Sequence, residues 1–380
     1  MKKNICFVTT TRAEFGLLKP LINTVKYSEE YNLTLIVSGT HLSKEFGNTY
    51  KNIESDYDII KINIMEKSNE INNIMGNVFN LFYPELEKIN KKKCIDLLFL
   101  LGDRFEILAI TQVAFILGIK ICHLAGGDIT QGAIDDQFRN AITQLSDYHM
   151  PFSEESKDNL IKMNINDKNI FLLGNPGLEV FKDFEPFIKK NIILEKYNLN
   201  EKYILCIFHP ETKNNTQYIQ NFFDNLIIFL NKNKDVSIII IKTNCDPGYL
   251  KIINKVEETI KNISNSLQSK NKINLIDNLE RNEYLSLAYY SYLYIGNSSS
   301  GLYELPYLNI PIINVGHRQL GRPLSSNVIS SEFNDISQNL EYVKNNRDKI
   351  LSNIKFGYKI YDSKEIFIKS LDAIFILCNN

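Results

Sequence analysis

Several signatures are missing from this chain, and each absence closes off a class of function. The 17 glycines contain no Gly-x-Gly, so the loop that seats a dinucleotide pyrophosphate has no counterpart and a bound nicotinamide or flavin is disfavoured. Three Gly-x4-Gly spacings occur, Gly127/Gly132, Gly296/Gly301 and Gly316/Gly321, but Ala133, Leu302 and Arg322 follow them. None is therefore a Walker A loop. Gly296-Asn-Ser-Ser-Ser-Gly301 is one residue too long for a nucleophile elbow. The six cysteines form no CxxC pair and the five histidines no HExxH or close pair. Structural zinc, a disulfide framework and a catalytic metal thus have no support, and a reducing cytoplasm fits. Charge of one sign is not in excess either: 43 Lys and Arg against 44 Asp and Glu leave a net charge of -1. That balance argues against a general grip on nucleic acid or an acidic membrane. Long hydrophobic runs are absent too. The four isoleucines between Ser237 and Lys242 fall far short of the ~20 residues a spanning helix needs, and the amino terminus has no signal-peptide h-region. The expectation is a cytoplasmic protein with no cofactor and no metal, and with no nucleic-acid or membrane partner.

What the chain does have is regular alternation. Its 380 residues are 44% hydrophobic and 23% charged, enough for two domains or a little more at ~150 residues each. Short apolar runs predict strands at Ile5–Thr10, Leu33–Gly39, Tyr57–Ile64, Ile95–Gly102, Lys120–Leu124, Tyr148–Phe152 and Ile170–Gly174. The second half offers Tyr203–Phe208, Ser237–Lys242, Ile273–Ile276, Leu293–Gly296 and Pro311–Val315. Between them lie helix-length segments with apolar residues three and four apart, such as Leu17, Leu18, Leu21, Ile22 and Val25. Continuous apolar strands alternating with amphipathic helices mark parallel sheets covered on both faces. The alternation restarts after a polar stretch at 183–202. The reading is α/β: two Rossmann-like doubly wound domains, at residues 1–178 and 179–360, followed by a helix over 361–380.

Polar residues collect where the predicted strands end. They are Thr9-Thr-Thr-Arg12-Ala-Glu14, Gly102-Asp103-Arg104-Phe-Glu106, His123-Leu-Ala-Gly126-Gly127-Asp128 and Ile134-Asp135-Asp136-x-x-Arg139 in the first half. The second half has His209-Pro210-Glu211-Thr-Lys213, Lys242-Thr-Asn244-Cys-Asp246-Pro-Gly248, Gly296-Asn-Ser298-Ser299-Ser-Gly301-x-x-Glu304 and Gly316-His-Arg318-Gln319-x-Gly-Arg322. Each alone has an ordinary explanation: a helix cap at Asp103 or Ser298, a charged helix face joining Asp135 or Asp136 to Arg139, satisfied core-edge histidines at His123 and His209. Their recurrence at one kind of location, in both halves, points instead to an anionic ligand held at strand ends in an interdomain cleft. Ser298, Ser299 and Gly301 open a helix and can receive a phosphate oxygen, with Glu304 further into that helix suited to a ribose diol. Arg12, Arg104 and Arg318 can neutralise a diphosphate. Asp103, Asp128 and Asp135 are carboxylates available for acid–base work.

Taken together, these residues make the sequence resemble the hydrolysing UDP-N-acetylglucosamine 2-epimerases of sialic acid biosynthesis and their relatives acting on diacetamido-bacillosamine nucleotides in legionaminic acid pathways. The likeness runs from Thr11-Arg12-Ala13-Glu14 through Gly102-Asp103-Arg104, Gly126-Gly127, Ile134-Asp135-Asp136, His209-Pro210 and Gly296-Asn-Ser-Ser299 to Arg318-Gln319. It implies a GT-B-like fold whose last helix crosses back to the first domain, a cytoplasmic homo-oligomer, and a UDP-sugar as substrate. It also implies the reaction: loss of the nucleoside diphosphate with removal of the carbon-2 proton, a glycal intermediate, and water addition with carbon 2 inverted. By resemblance Asp103 and Asp135 match the family's catalytic aspartates. Arg12, Arg104, His209, Asn244, Ser298, Ser299, Glu304 and Arg318 match its nucleotide-binding positions. Two positions depart from the pattern. Ala125 stands where the best-known members carry a catalytic glutamate, and Asn140 where a histidine usually follows the arginine. An alanine moves no protons, so either Asp128 or a neighbour takes that role or the chain is slow or inactive; the change reads as the marker of a substrate branch. A GT-B glycosyltransferase and a nucleotide-sugar-binding protein without turnover are the alternatives.

Overall fold

The structure is a computed structural model that describes residues 2–65, 70–211, 217–242, 252–254, 257–258, 273–277 and 279–378. The chain divides into two compact units. One comprises Met1–Ile129, Ile134–Glu179 and Lys359–Asn380, the other Thr130–Ala133 and Val180–Tyr358. The α/β class and the two doubly wound sheets read from the alternation are both present.

In the first unit β1 (Lys3–Thr9), β2 (Tyr31–Val37), β3 (Ile59–Lys61), β4 (Leu97–Leu101), β5 (Ile121–Leu124) and β6 (Tyr148–Met150) form one parallel sheet in the order β3-β2-β1-β4-β5-β6. Strands buried on both faces have no reason to alternate in polarity: β4 is Leu-Leu-Phe-Leu-Leu, wholly buried. Successive side chains still go to opposite faces. Ile5, Phe7, Leu97 and Phe99 enter one core, while Cys6, Val8, Leu98 and Leu100 enter the other. Helix Ser363–Cys378 supplies Phe367, Leu371, Ile374 and Phe375 to the first of these cores. There Phe7 stacks on Phe99 at 4.8 Å, and Phe367 lies 5.3 Å from Phe99.

The second unit repeats the plan with β7 (Lys202–Ile207), β8 (Val236–Ile241), β9 (Ile273–Ile276), β10 (Leu293–Gly296), β11 (Ile312–Val315) and β12 (Val328–Ser331). Their order is β12-β11-β10-β7-β8-β9, again parallel. Read from its own first strand, this is the same winding. Helices Gln217–Lys232 and Ile336–Leu351 close one face of this sheet, through Phe222, Leu226, Leu340 and Val343.

Two expectations change. Ile170–Gly174 is not a strand of the sheet. It lies beside β6 with Phe171 N–H and Leu173 N–H donating to the carbonyls of His149 and Pro151, and forms a single bridge at Ile170. Asn175-Pro176 then turns the chain into a 3-10 helix at Pro176–Phe181, so no ladder develops. Conversely, β12 was not legible: Val-Ile-Ser-Ser is a short edge strand with only one buried residue, and an edge strand carries little apolar signal.

What matters for function is the pair of places where the winding reverses, between β1 and β4 and between β7 and β10. Crossovers leave those neighbouring strands toward opposite sides, so the loops at their carboxyl ends part and leave a crevice.

Candidate active site

In the first unit the reversal lies beneath Thr9–Arg12 and Gly102–Arg104. Thr11 caps helix Arg12–Lys26 with its hydroxyl, and Glu14 returns its carboxylate to the cap backbone. Arg12 is the first residue of that helix. Its positive charge lies near His41, whose pKa is pushed down to about 4, mainly by burial. Arg104 pairs with the buried Glu106 through Nε at 2.6 Å.

Asp103, on the same turn as Arg104, is the acid whose setting the structure defines best. Its Oδ2 receives Nη2 of Arg139. Arg139 is 1% exposed, and its other nitrogen, Nη1, donates to the Asp128 carbonyl at 2.8 Å and to Asp136 Oδ1 at 3.2 Å. The ordinary charged-face reading of Asp136 and Arg139 is thus correct as a contact but incomplete. The guanidinium of Arg139 reaches across to the β4 turn and ties Asp103 to the helix whose first residue is Asp135. His123 supports the same turn from below. Its Nε2–H donates to the Gly102 carbonyl at 2.7 Å, and Nδ1 accepts from the Thr143 hydroxyl at 3.1 Å. Burial pushes its pKa down to about 4, with the Arg139 charge adding to the effect, so the ring is neutral and fixes Gly102, not a proton in transit. Asp128 is 6% exposed and accepts from the Ser156 hydroxyl at 2.6 Å. Ala125 takes φ +62, a left-handed conformation rare for alanine. Asn140 lies partly buried on the helix that begins at Asp135.

In the second unit the reversal centres on Asn297, which is fully buried. His209 N–H donates to Asn297 Oδ1 at 2.7 Å, and Asn297 Nδ2 donates back to the His209 carbonyl at 2.9 Å. Gln319 Nε2 donates to the Asn297 carbonyl at 2.9 Å, with Arg318 Nη1 at 3.4 Å. Glu211, 1% exposed, accepts from the backbone N–H groups of His317 and Arg318 at 2.6 and 3.1 Å. One side chain therefore fixes the register of His209 against β10, and another braces the loop that carries Arg318. Close approach makes Gly296 obligatory: at φ +153, a Cβ there would lie 1.9 Å from the Ile207 carbonyl oxygen.

The helix expected at Ser298 is short. It spans Ser300–Tyr303 with Ser299 as its N-cap, and Glu304 follows its last residue. Glu304 is thus not inside a helix, a correction to the expectation; its carboxylate pairs with Arg281 Nη2 at 2.6 Å. Ser298 sits in a hydroxyl chain, with Tyr284 donating to Ser300 Oγ at 2.8 Å and Ser300 to Ser298 Oγ at 3.2 Å. Asn244 lies outside the described residues, as do its neighbours Thr243, Cys245 and Asp246.

Within the first unit, then, Asp103 and Arg104 share one turn, and Arg139 joins Asp103 to Asp128 and to the Asp135 helix. Within the second, His209, Ser298 and Arg318 surround Asn297. Sequence reasoning assigned no role to Arg139, Asn297, Glu211 or Gln319. Each lies inside a strand-end cluster, so location was a usable signal, but the bonds that make them central are long-range. Among the described residues no group of three or more His, Cys, Asp or Glu could hold a metal ion, and no helix is long and apolar enough to cross a membrane.

Residues 23–371 match the family described as UDP-N-acetylglucosamine 2-epimerase. The chain is 35% identical to the GDP/UDP-N,N'-diacetylbacillosamine 2-epimerase (hydrolyzing) of Campylobacter jejuni, over 92% of this chain and 89% of that protein. It is 31% identical to the UDP-N,N'-diacetylbacillosamine 2-epimerase (hydrolyzing) of Legionella pneumophila, over 87% and 85%. Its fold resembles the crystal structure of UDP-GlcNAc 2-epimerase from Neisseria meningitidis bound to UDP-GlcNAc, with a TM-score of 0.79 at 18% identity, covering 97% of this chain and 99% of that one.

Proposed function

Because the chain belongs to the UDP-N-acetylglucosamine 2-epimerase family, we propose that it is a hydrolysing 2-epimerase of a UDP-activated 2-acetamido sugar. The products are the free manno-configured sugar and UDP. The observation that carries this reading is the setting of Asp103. It is a carboxylate 27% exposed at the side chain and bound by a buried arginine, on the same turn as a second arginine. Elimination across carbons 1 and 2 needs cations for the departing diphosphate and carboxylates that exchange protons beside it. Arg12, Arg104 and Arg318 are assigned to the diphosphate. Ser298, Ser299, His209, Asn244 and Glu304 are assigned to the rest of the nucleotide. Asp103, Asp135 and Asp128 are assigned to proton exchange.

Two named relatives act on diacetylbacillosamine nucleotides, and this supports a 2,4-diacetamido sugar as the substrate and a role in making a sialic-acid-like sugar. Ala125 fits the same branch, since the proton-carrying side chain found there in the best-known members is missing. The test is incubation with UDP-N,N'-diacetylbacillosamine and with UDP-N-acetylglucosamine in deuterated water, with no acceptor. UDP should be released and the sugar should carry deuterium at carbon 2. Release without label means simple hydrolysis, and release only when an acceptor is added means a glycosyltransferase. Either result defeats the reading.

A further inference from the structure

Beside Arg104 lies a polar assembly to which the reaction above assigns no task. Glu14, on helix Arg12–Lys26, and Glu106, on helix Phe105–Ile116, meet at a single hydroxyl. Thr10 Oγ1 is 3.2 and 3.0 Å from Oε1 and Oε2 of Glu14 and 3.1 Å from Oε1 of Glu106. Both acids are buried, at 8% and 2% exposure. A threonine hydroxyl owns one proton, so Thr10 cannot donate to both acids. Both contacts are full hydrogen bonds only when one runs the other way, from a protonated carboxyl into the threonine oxygen.

The remaining donors favour Glu14 as the acid that carries that proton. Glu106 Oε1 already accepts from Arg104 Nε at 2.6 Å, as a carboxylate does. Glu14 Oε2 accepts the backbone N–H of Thr10 at 2.8 Å and of Thr11 at 3.2 Å, which leaves its Oε1 to carry a proton toward Thr10. Two buried carboxylates against one guanidinium would leave an uncompensated negative charge, and one proton removes it.

We propose that Glu14 is held as a neutral acid and that the chain Glu14–Thr10–Glu106 positions Arg104 for the departing diphosphate. The second half of this inference rests on the proposed function; the proton on Glu14 does not. The charged groups facing Glu14 are Glu106 and Arg104. Burial, and after it the Glu106 charge, raise Glu14 to about 7, with Arg104 opposing. His41, on the turn after β2, bonds to the hydroxyls of Thr9 and Thr49 and to neither acid. When Glu14 ionises, the new charge draws Arg104 inward and away from a nucleotide. Glu14 is thus a positioning residue.

The test is Glu14→Gln. Glutamine can fill the same capping-box position and stays neutral. In the wild type, kcat/KM for UDP-N,N'-diacetylbacillosamine should fall through a KM increase above about pH 7, losing roughly 10-fold per pH unit. In the variant that alkaline limb should flatten. A merely structural Glu14 would leave the two pH profiles superimposable, and that result overturns the proposal. Infrared spectra of the wild type should contain a protonated-carboxyl band near pH 6 that Glu14→Gln lacks and that is lost by about pH 8.5. If the variant fails to fold, the titration of that band in the wild type decides, and its absence near pH 6 overturns the proposal. Should neither nucleotide sugar be turned over, the proposed function fails, while the infrared titration still upholds or overturns the proton on Glu14.

Discussion

Asp103 shows how much a side chain's task depends on what holds it. The carboxylate is one residue from the diphosphate-binding candidate Arg104, and a buried guanidinium fixes its orientation. Asp103→Asn should lower turnover about 100-fold or more while UDP affinity, measured by calorimetry, stays nearly intact. Arg318→Ala should do the reverse, weakening UDP binding about 10- to 100-fold through loss of a charge-assisted contact. A strand-end arginine or aspartate can be picked from sequence because its chemistry goes with its type. Arg139 could not, since its partners lie 36 and 11 residues away and only folding makes them neighbours. His123 has a different signature. Its native pKa is depressed to about 4 against an unperturbed value of ~6.5, so between those limits the unfolded chain binds the proton that the native state refuses. Its contribution to stability is therefore present above about pH 6.5 and lost as pH falls toward 4. Urea midpoints of the wild type should drop over that window, and those of a folded His123→Gln variant should drop less.

At the scale of elements, the strongly apolar strands announced themselves, because a parallel sheet covered on both faces needs continuous burial. The edges did not. β12 is half polar, and Ile170–Gly174 had the strand composition without a ladder to join. The turn from β10 into helix Ser300–Tyr303 is set by backbone proximity. Gly296→Ala forces a Cβ against the Ile207 carbonyl, which should cost roughly 1–3 kcal/mol and lower UDP affinity with it. Denaturant unfolding and calorimetry on the same variant check both effects.

For the whole molecule, chain order and spatial order part company at the end. Helix Ser363–Cys378 completes a core begun by β1, with Phe367 fully buried against the stacked pair Phe7 and Phe99. Phe367→Ala should destabilise the first unit by about 3–5 kcal/mol. Hydrogen exchange should speed up in β1 and β4, while β7 and β10 keep their protection. By itself the sequence determined the α/β class, the doubly wound pattern and the strand ends where polar residues gather, because periodicity and composition are local and survive without coordinates. Only the tertiary structure decided that Arg139 clamps Asp103, that Asn297 knits His209 to β10, and that two buried acids share one hydroxyl. Those facts are contacts between residues far apart in the chain, and their energies come from burial, which no window of sequence contains.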